Sequence, residues 1–303
     1  MTVMHSLYRE PGNITIDSGA CTRCGLCVQI CPAEVLSRSD DKIEISTDSA
    51  FGCIACGHCM MVCPHDAVTV KGRGIRPDDI EPLPSPEQAA AADQLSALMK
   101  SRRSVRKFRE TPVDAALLER IVDMASTAPM GIPPWDIGCV IVNGRDHVRS
   151  LTEAVVKGYT GMLKIFKPWL LKAMRPLIGK AKYEMFADFI RPLAEMYVQG
   201  YQEGRDLVFY DAPAVLIFHH SPYAETTDAT IACTYAMLAA QSLGLGSTII
   251  GGATPVIQRN KKLCLSLGIP EGNTPSIALI LGYPADNFKK TIKRRFAAIN
   301  TIQ

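Results

Sequence analysis

Hydrophobic and polar positions alternate in short stretches near the start of the chain, "NITID" from Asn13, "KIEIS" from Lys42 and "AVTV" from Ala67, a period of two that predicts small β-ribbons. From about residue 88 the period lengthens. "EQAAAADQLSALMKSRR" reads as helix. In "TPVDAALLERIVDMASTAP" Leu117, Leu118, Ile121, Val122 and Ala125 share one helical face, with Thr111 placed to cap and Pro112 in the first turn. Apolar runs at "IGCVIVN", "PAVLIFHH" and "PSIALILGY" predict strands, and "ATIACTYAMLAAQSLGLG" a long, nearly uncharged helix. Residues 151–206 read as helices without a strand, broken at Pro168, Pro176 and Pro192, and so as an insertion or lid. The residues after each Cys-Pro pair suit a short helix. The Pro-rich, acidic stretch "RPDDIEPLPSPEQ" stays extended, which divides the chain into a small domain (1–75), a linker (76–88) and a larger domain (89–303). Helices and strands in mixed order argue for an α+β layered architecture.

Composition narrows this picture without redirecting it. At 303 residues and 47% hydrophobic content the chain can bury a sizeable core in two or three units. A formal charge of +3 is nearly balanced, so nucleic acid is not expected as a partner. The first residues lack a basic segment followed by an apolar one, and no stretch offers about 18 uncharged apolar residues, so the expected location is the cytoplasm and membrane-surface contact is not expected. Between Ala154 and Tyr183 there are seven Lys or Arg and no acid, a basic amphipathic helical pair that could pack on the domain, cover a site or touch a membrane surface.

The cysteines carry the first chemical signal. Cys21, Cys24, Cys27 and Cys31 recur 32 residues later as Cys53, Cys56, Cys59 and Cys63, each set followed by proline, an internal repeat of two half-units. Paired CxxC motifs also hold zinc, but eight cysteines in this spacing, with each block closed by Cys-Pro, favour iron–sulfur chemistry. Over residues 14–72 the pattern resembles bacterial-type ferredoxins with two 4Fe–4S clusters. That resemblance implies that Cys21, Cys24, Cys27 and Cys63 hold one cluster, and Cys53, Cys56, Cys59 and Cys31 the other. Gly25 and Gly57 suit the tight ligand loops, and His58 and His65 read as neighbours of the clusters rather than ligands. Cys139, Cys233 and Cys264 sit alone among apolar residues and read as small buried hydrophobes.

A second signal follows in "KSRRSVRKF". Arg102, Arg103, Ser104 and Arg106 set three cations and a hydroxyl close together, a set that suits a phosphate. There is no G-x-G-x-x-G after a strand, which argues against a Rossmann nucleotide domain. Together with "APMGIPPWDIGCVIV", "QSLGLGSTIIGG", "YDAPAVLIF" and "LGYPADNFKKTIKRRF", the basic run resembles the FMN-dependent nitroreductase family over residues 95–300. The resemblance implies an α+β sandwich that forms a homodimer with FMN at the interface. It puts Arg102, Arg103, Ser104 and Arg106 at the phosphate, ribityl chain and pyrimidine edge, and Ile250, Gly251 and Gly252 over the flavin. Lys293 and Arg295, with Arg294 as a substitute, fall at the phosphate, and Pro129, Met130 and Gly131 beside the ring. "GIPPW" is shorter than the family loop and lacks its Asn and Gln, which puts flavin contacts from that loop in question.

The expected function is an FMN-dependent oxidoreductase. Two clusters relay single electrons to FMN, which reduces a small organic acceptor such as a nitro compound, quinone or activated double bond, the donor being an external ferredoxin or NAD(P)H. The alternative is an electron-transfer flavo-iron–sulfur protein that serves a partner protein and has no small-molecule substrate. No catalytic side chain stands out. Tyr159, Tyr183 and Tyr197 are candidate proton donors.

Overall fold

The computed structural model describes residues 12–46, 49, 52–131 and 136–302. In the cysteine-rich half, strand β1 (Asn13–Ile16), helix α1 (Leu26–Ile30), strands β2 (Leu36–Arg38) and β3 (Ile43–Ile45), helix α2 (His58–Met61) and strand β4 (Val68–Lys71) form two antiparallel ribbons, β1–β4 and β2–β3. In the first ribbon Ile14 faces Val70, and both join a small core with Val35, Leu36, Ala55 and Met60. The predicted ribbons are present. The short helices lie before each Cys-Pro, not after it. Both begin beside a left-handed glycine, Gly25 at φ 79° and Gly57 at φ 75°, where a Cβ would be strained. The residue before a proline is steered away from the helical region. Cys31 is accordingly extended at φ −74°, ψ 107°, and the residues after each cysteine form turns.

Helix α3 (Ala92–Ser101) precedes the basic run, and helix α4 (Ala115–Ser126) follows it. Asp114, not Thr111, caps α4, its carboxylate accepting the Ala116 N–H at 3.0 Å. Thr111 and Pro112 lie in the extended approach. Next come strand β5 (Ile137–Asn143), helices α5 (Arg145–Ile165), α6 (Pro168–Ile178) and α7 (Lys180–Glu184), a π-helical stretch (Met185–Ile190) and helix α8 (Arg191–Gln202). Strand β6 (Ala214–His220), helix α9 (Thr226–Ser242), strand β7 (Gly246–Ile250), helices α10 (Thr254–Arg259) and α11 (Lys261–Ser266) and strand β8 (Thr274–Gly282) complete the order.

The four strands form one antiparallel sheet in the order β5-β6-β8-β7, covered on both faces. Alternation along β6 and β8 assigns the faces. Val215, Ile217, Ala278 and Ile280 pack towards α5, α8 and α10, and Leu216, Phe218, Leu279 and Leu281 towards α4 and α9. Each large aliphatic side chain moved from water into such a core contributes roughly 1.5–3 kcal/mol. Helix α9 meets the sheet through Ala229, Ala232, Cys233, Ala236, Ala239 and Ala240, all buried and small enough for close approach. The layered α+β expectation holds. Three strands fall where the apolar runs put them, and β7 is the one that periodicity missed.

In the 151–206 region, Pro168 starts a helix after a break, as expected, but Pro176 lies inside α6 without ending it. Pro192 does not break the chain either, since α8 continues directly from the π-helical stretch with Ile190 in the helical region. Among the described residues no helix is long and apolar enough to cross a membrane.

Candidate functional site

The eight motif cysteines wall two cavities in the small domain. One, with about 310 Å³ not filled by atoms, is lined by Cys21, Cys24 and Cys27 of the first repeat and by Cys63 of the second. The other, of about 300 Å³, is lined by Cys53, Cys56 and Cys59 together with Cys31 of the first. Helices α1 and α2 pack side by side and carry the fourth cysteine of each repeat across to the other repeat's loop. Among the described residues no three His, Cys, Asp or Glu side chains converge tightly enough to share a single ion. The thiols are spread around a space rather than gathered on a point, which is the geometry a multi-atom cluster needs and a lone zinc ion does not.

The electrostatics agree with that grouping. Burial first, then the nearby sulfurs of Cys53, Cys56 and Cys31, push the Cys59 thiol up to about 12. Burial, with Cys21 and Cys24 adding, raises Cys27. Four thiolates crowded in such a pocket require a cationic partner to ionise together, which an iron core supplies. Backbone amides already point at sulfur, from Ala55 to Cys53 at 3.4 Å and from Ala67 to Cys63 at 3.3 Å. The residues fit the clusters. Sequence reasoning missed Arg73, which is only 5% exposed and whose charge acts on Cys53. A lone arginine after a strand gave no warning of burial. His65 lines the first cavity and His58 the second.

In the larger domain the basic run is laid against the sheet's β7 edge. Ser104 bridges Ser247 in parallel, the Val105 N–H donates to the Ser247 carbonyl at 3.0 Å, and the Thr248 hydroxyl donates to the Val105 carbonyl at 2.5 Å. Further on, Phe108 bridges Pro284, and Ala285 donates its N–H to Lys107 at 3.0 Å. The segment is therefore fixed at both ends, with Ser104 and Arg106 left exposed on it.

The expected cations are partly brought together. Arg102 is half-buried, and burial, followed by the like charges of Arg294 and Arg103, holds it below the usual arginine range. Arg294 is thus the tail residue whose charge reaches Arg102, while Lys293 and Arg295 lie exposed on either side of it. Among the described residues no carboxylate forms a salt bridge with Arg102, Arg103, Arg106, Lys293, Arg294 or Arg295. A half-buried arginine facing like charges without a counter-ion suits an anionic ligand such as a phosphate. Arg103 departs from the set, since its guanidinium turns back to the carbonyls of Lys100 and Arg102 at the end of α3, at 2.8 and 2.5 Å. Arg106 stacks over the Tyr210 ring at 5.7 Å.

Ile250, the last residue of β7, is buried, and after it Gly251 is exposed and Gly252 half-exposed. A Cβ on Gly251 would meet nothing within 4 Å, whereas one on Gly252 would lie 2.9 Å from the Tyr197 hydroxyl. The Tyr159 hydroxyl donates to the Gly252 carbonyl at 2.5 Å, and the Tyr159 and Tyr197 rings meet edge to face at 5.5 Å. Tyr183 is elsewhere, under the Arg175 guanidinium. Burial raises both Tyr159 and Tyr197, the latter to about 12. Two of the three candidate proton donors are therefore packed beneath the glycine loop. Pro129, Met130 and Gly131 follow α4, and the Gly131 N–H donates to Asp228 in the first turn of α9 at 3.2 Å. The "IPPW" part of the shortened loop lies outside the described residues. The three lone cysteines are packed in the cores, and Cys139 and Cys233 are pushed by burial to about 12, as inert thiols are.

Residues 99–283, more than half of the chain, match the nitroreductase family model. The chain belongs to the nitroreductase family. Residues 20–68 match the 4Fe-4S dicluster domain, so a nitroreductase-family flavin oxidoreductase domain and a ferredoxin domain share one polypeptide. An FMN reductase [NAD(P)H] of Bacillus subtilis is 25% identical over 202 residues, covering 67% of this chain and 70% of that protein. A nitroreductase with bound FMN from Bacteroides fragilis has the same fold, at a TM-score of 0.52 and 21% identity over 69% of this chain and 98% of that one. Another from Desulfitobacterium hafniense gives 0.51 and 19%, over 69% of this chain and 98% of that one.

Proposed function

We propose that this nitroreductase-family protein is an FMN-dependent oxidoreductase in which two 4Fe–4S clusters relay single electrons to FMN for delivery to a small organic acceptor: a nitro compound, a quinone or an activated double bond. The observation that carries the proposal is the sorting of eight cysteines into two four-cysteine cavities, each completed by the opposite repeat, on the same chain as a nitroreductase fold. The working units are residues 1–75, a linker at 76–88 and residues 89–303.

FMN, when bound, supplies an exchange between one-electron and two-electron chemistry that clusters alone lack. The chain's residues hold and shield it. Arg102 and Arg294 would neutralise the phosphate, with Lys293 and Arg295 able to swing in from exposed positions and Arg103 able to join once its guanidinium leaves the carbonyls of Lys100 and Arg102. Ser104 and Arg106 reach the ribityl chain and pyrimidine edge from a segment fixed to β7. Gly251 leaves room for a flat ring to approach the backbone and Gly252 lets the loop pack on the Tyr197 hydroxyl, with Ile250 behind them and Pro129, Met130 and Gly131 at the rim. In the other domain, Cys21, Cys24, Cys27 and Cys63 hold one cluster and Cys53, Cys56, Cys59 and Cys31 the other.

A homodimer is part of the reading. After β8 the tail exposes Ile292 at 79%, Phe296 at 83% and Ile299 at 79%, and among the described residues β5 leaves one edge of the sheet without a neighbouring strand. An apolar tail and an open edge are what a second copy would cover.

Chemical analysis of anaerobically purified protein tests the assignment. About eight irons, eight sulfides and one FMN per chain are expected. Zinc in place of iron, or no flavin, would refute it. Reoxidation of the reduced protein by a quinone or nitroaromatic supports the enzyme. Reoxidation by a protein partner alone would point to an electron carrier.

A further inference from the structure

We infer that Tyr159 is a positioning residue for the flavin: by donating its hydroxyl hydrogen bond to the Gly252 carbonyl, it holds the end of the Gly251–Gly252 loop and so the direction in which that loop faces the cofactor. This rests on the reading that FMN lies against Gly251 and Gly252.

The backbone geometry is decisive. A trans peptide is planar, and its carbonyl points opposite to its N–H. The Gly251 carbonyl accepts from the Thr254 hydroxyl at 3.2 Å, and the Gly252 carbonyl accepts from the Tyr159 hydroxyl at 2.5 Å. Both carbonyls are therefore turned towards α5 and α10. The N–H of the partly exposed Gly252 is turned to the other side, where a donor to a flavin ring is wanted, while Ala253, fully buried, anchors the end of the loop in the core. Glycine makes a peptide easy to flip, so something outside the loop must set its direction. Tyr159 is suited to that task because it is 5% exposed in the middle of α5 and braced edge to face by Tyr197 from α8. The Tyr197 hydroxyl closes the same space from beside Gly252. Helix α5 thus holds the Gly252 end of the loop and Thr254 of α10 the Gly251 end.

The test is the Tyr159→Phe variant of the full-length protein, with Tyr183→Phe as control and Thr254→Val as a second probe of the same two peptides. Three quantities are read: FMN affinity, the shape of the visible flavin bands, and amide exchange of residues 250–253 in FMN-free protein. Loss of one hydrogen bond predicts an FMN affinity about three- to tenfold weaker in Tyr159→Phe. Altered flavin bands and faster exchange of the loop are expected as well, with Tyr183→Phe unchanged in all three. If wild type binds FMN and Tyr159→Phe matches it in affinity, bands and exchange, the inference is wrong while the flavin reading stands. If wild type binds no FMN, the flavin reading fails, and the exchange measurement alone then decides whether Tyr159 holds the loop.

Discussion

Cys31 closes the first cysteine repeat, yet it lines the same cavity as Cys53, the first cysteine of the second repeat, and its charge acts on the Cys53 thiol. The exchange is mutual, with Cys63 completing the cavity of the first repeat. Neither repeat lines a four-cysteine cavity alone.

Crossed ligation makes the iron content of double variants informative. Cys21→Ser and Cys63→Ser touch one cavity, so each single variant and their combination should all retain about four irons per chain. Cys31→Ser combined with Cys63→Ser touches both cavities and should retain almost none. If Cys21→Ser combined with Cys31→Ser lost only one cluster, the repeats would be binding independently.

Arg102→Gln removes the cation on which Arg294 and Arg103 press. A charge-assisted contact to phosphate contributes about 1.5–3 kcal/mol, so FMN should bind more than about tenfold more weakly, with a smaller dependence of affinity on salt. The variant's thermal stability without FMN should not fall, because a mutual repulsion is relieved. Equal FMN affinity in wild type and variant, measured by flavin titration, would place the phosphate elsewhere.

Gly251 and Gly252 separate packing from cofactor contact. Gly252→Ala puts a Cβ 2.9 Å from the Tyr197 hydroxyl and should lower the melting temperature with or without FMN. Gly251→Ala meets no atom within 4 Å, so it should leave the FMN-free melting temperature unchanged and weaken FMN. A Gly251→Ala protein that binds FMN as wild type does would show that the ring does not lie there.

Burial holds His219 down to about 4 from an ordinary 6.5. The folded state therefore keeps this ring neutral while the unfolded chain takes up a proton, so stability is present above pH 6.5 and lost as pH falls through the window from 6.5 to about 4. Asn273 shares a hydrogen bond with its Nδ1 at 3.0 Å. His219→Gln should flatten the fall of melting temperature across that window. An identical slope in the variant would assign the acid sensitivity to other groups.

Much of this molecule was legible in residue order, for identifiable reasons. The cysteine spacing carries a resemblance to two-cluster ferredoxins, and the grouping which that resemblance implies is the one that shares each cavity. Apolar runs at β6 and β8 are legible because central strands covered on both faces carry few polar residues, and β5 is legible because its run of Val and Ile at 140–142 is unbroken although it is an edge strand. Strand β7 escaped because Gly246 and Ser247 dilute its apolar signal and its pairing with β8 spans a long stretch of chain. Thr111 looked like the cap of α4, yet Asp114 three residues later had the better geometry. In the site, the basic run was visible, but Arg103's turn towards α3 and Arg294's approach to Arg102 depend on backbone direction that sequence does not carry. The bond from Tyr159 to Gly252 joins residues 93 positions apart, beyond the reach of any local pattern.

The central claim is that the clusters feed the flavin within one chain. Anaerobic rapid mixing with a reduced external ferredoxin tests it most directly, by following cluster and flavin absorbance separately in wild type and in Cys31→Ser/Cys63→Ser loaded with FMN. The account predicts that the clusters reduce first and the flavin then bleaches rapidly in wild type, while the flavin of the variant bleaches far more slowly at equal FMN content. Equal bleaching rates in the two proteins would contradict it and leave the cysteine domain outside the path of electrons.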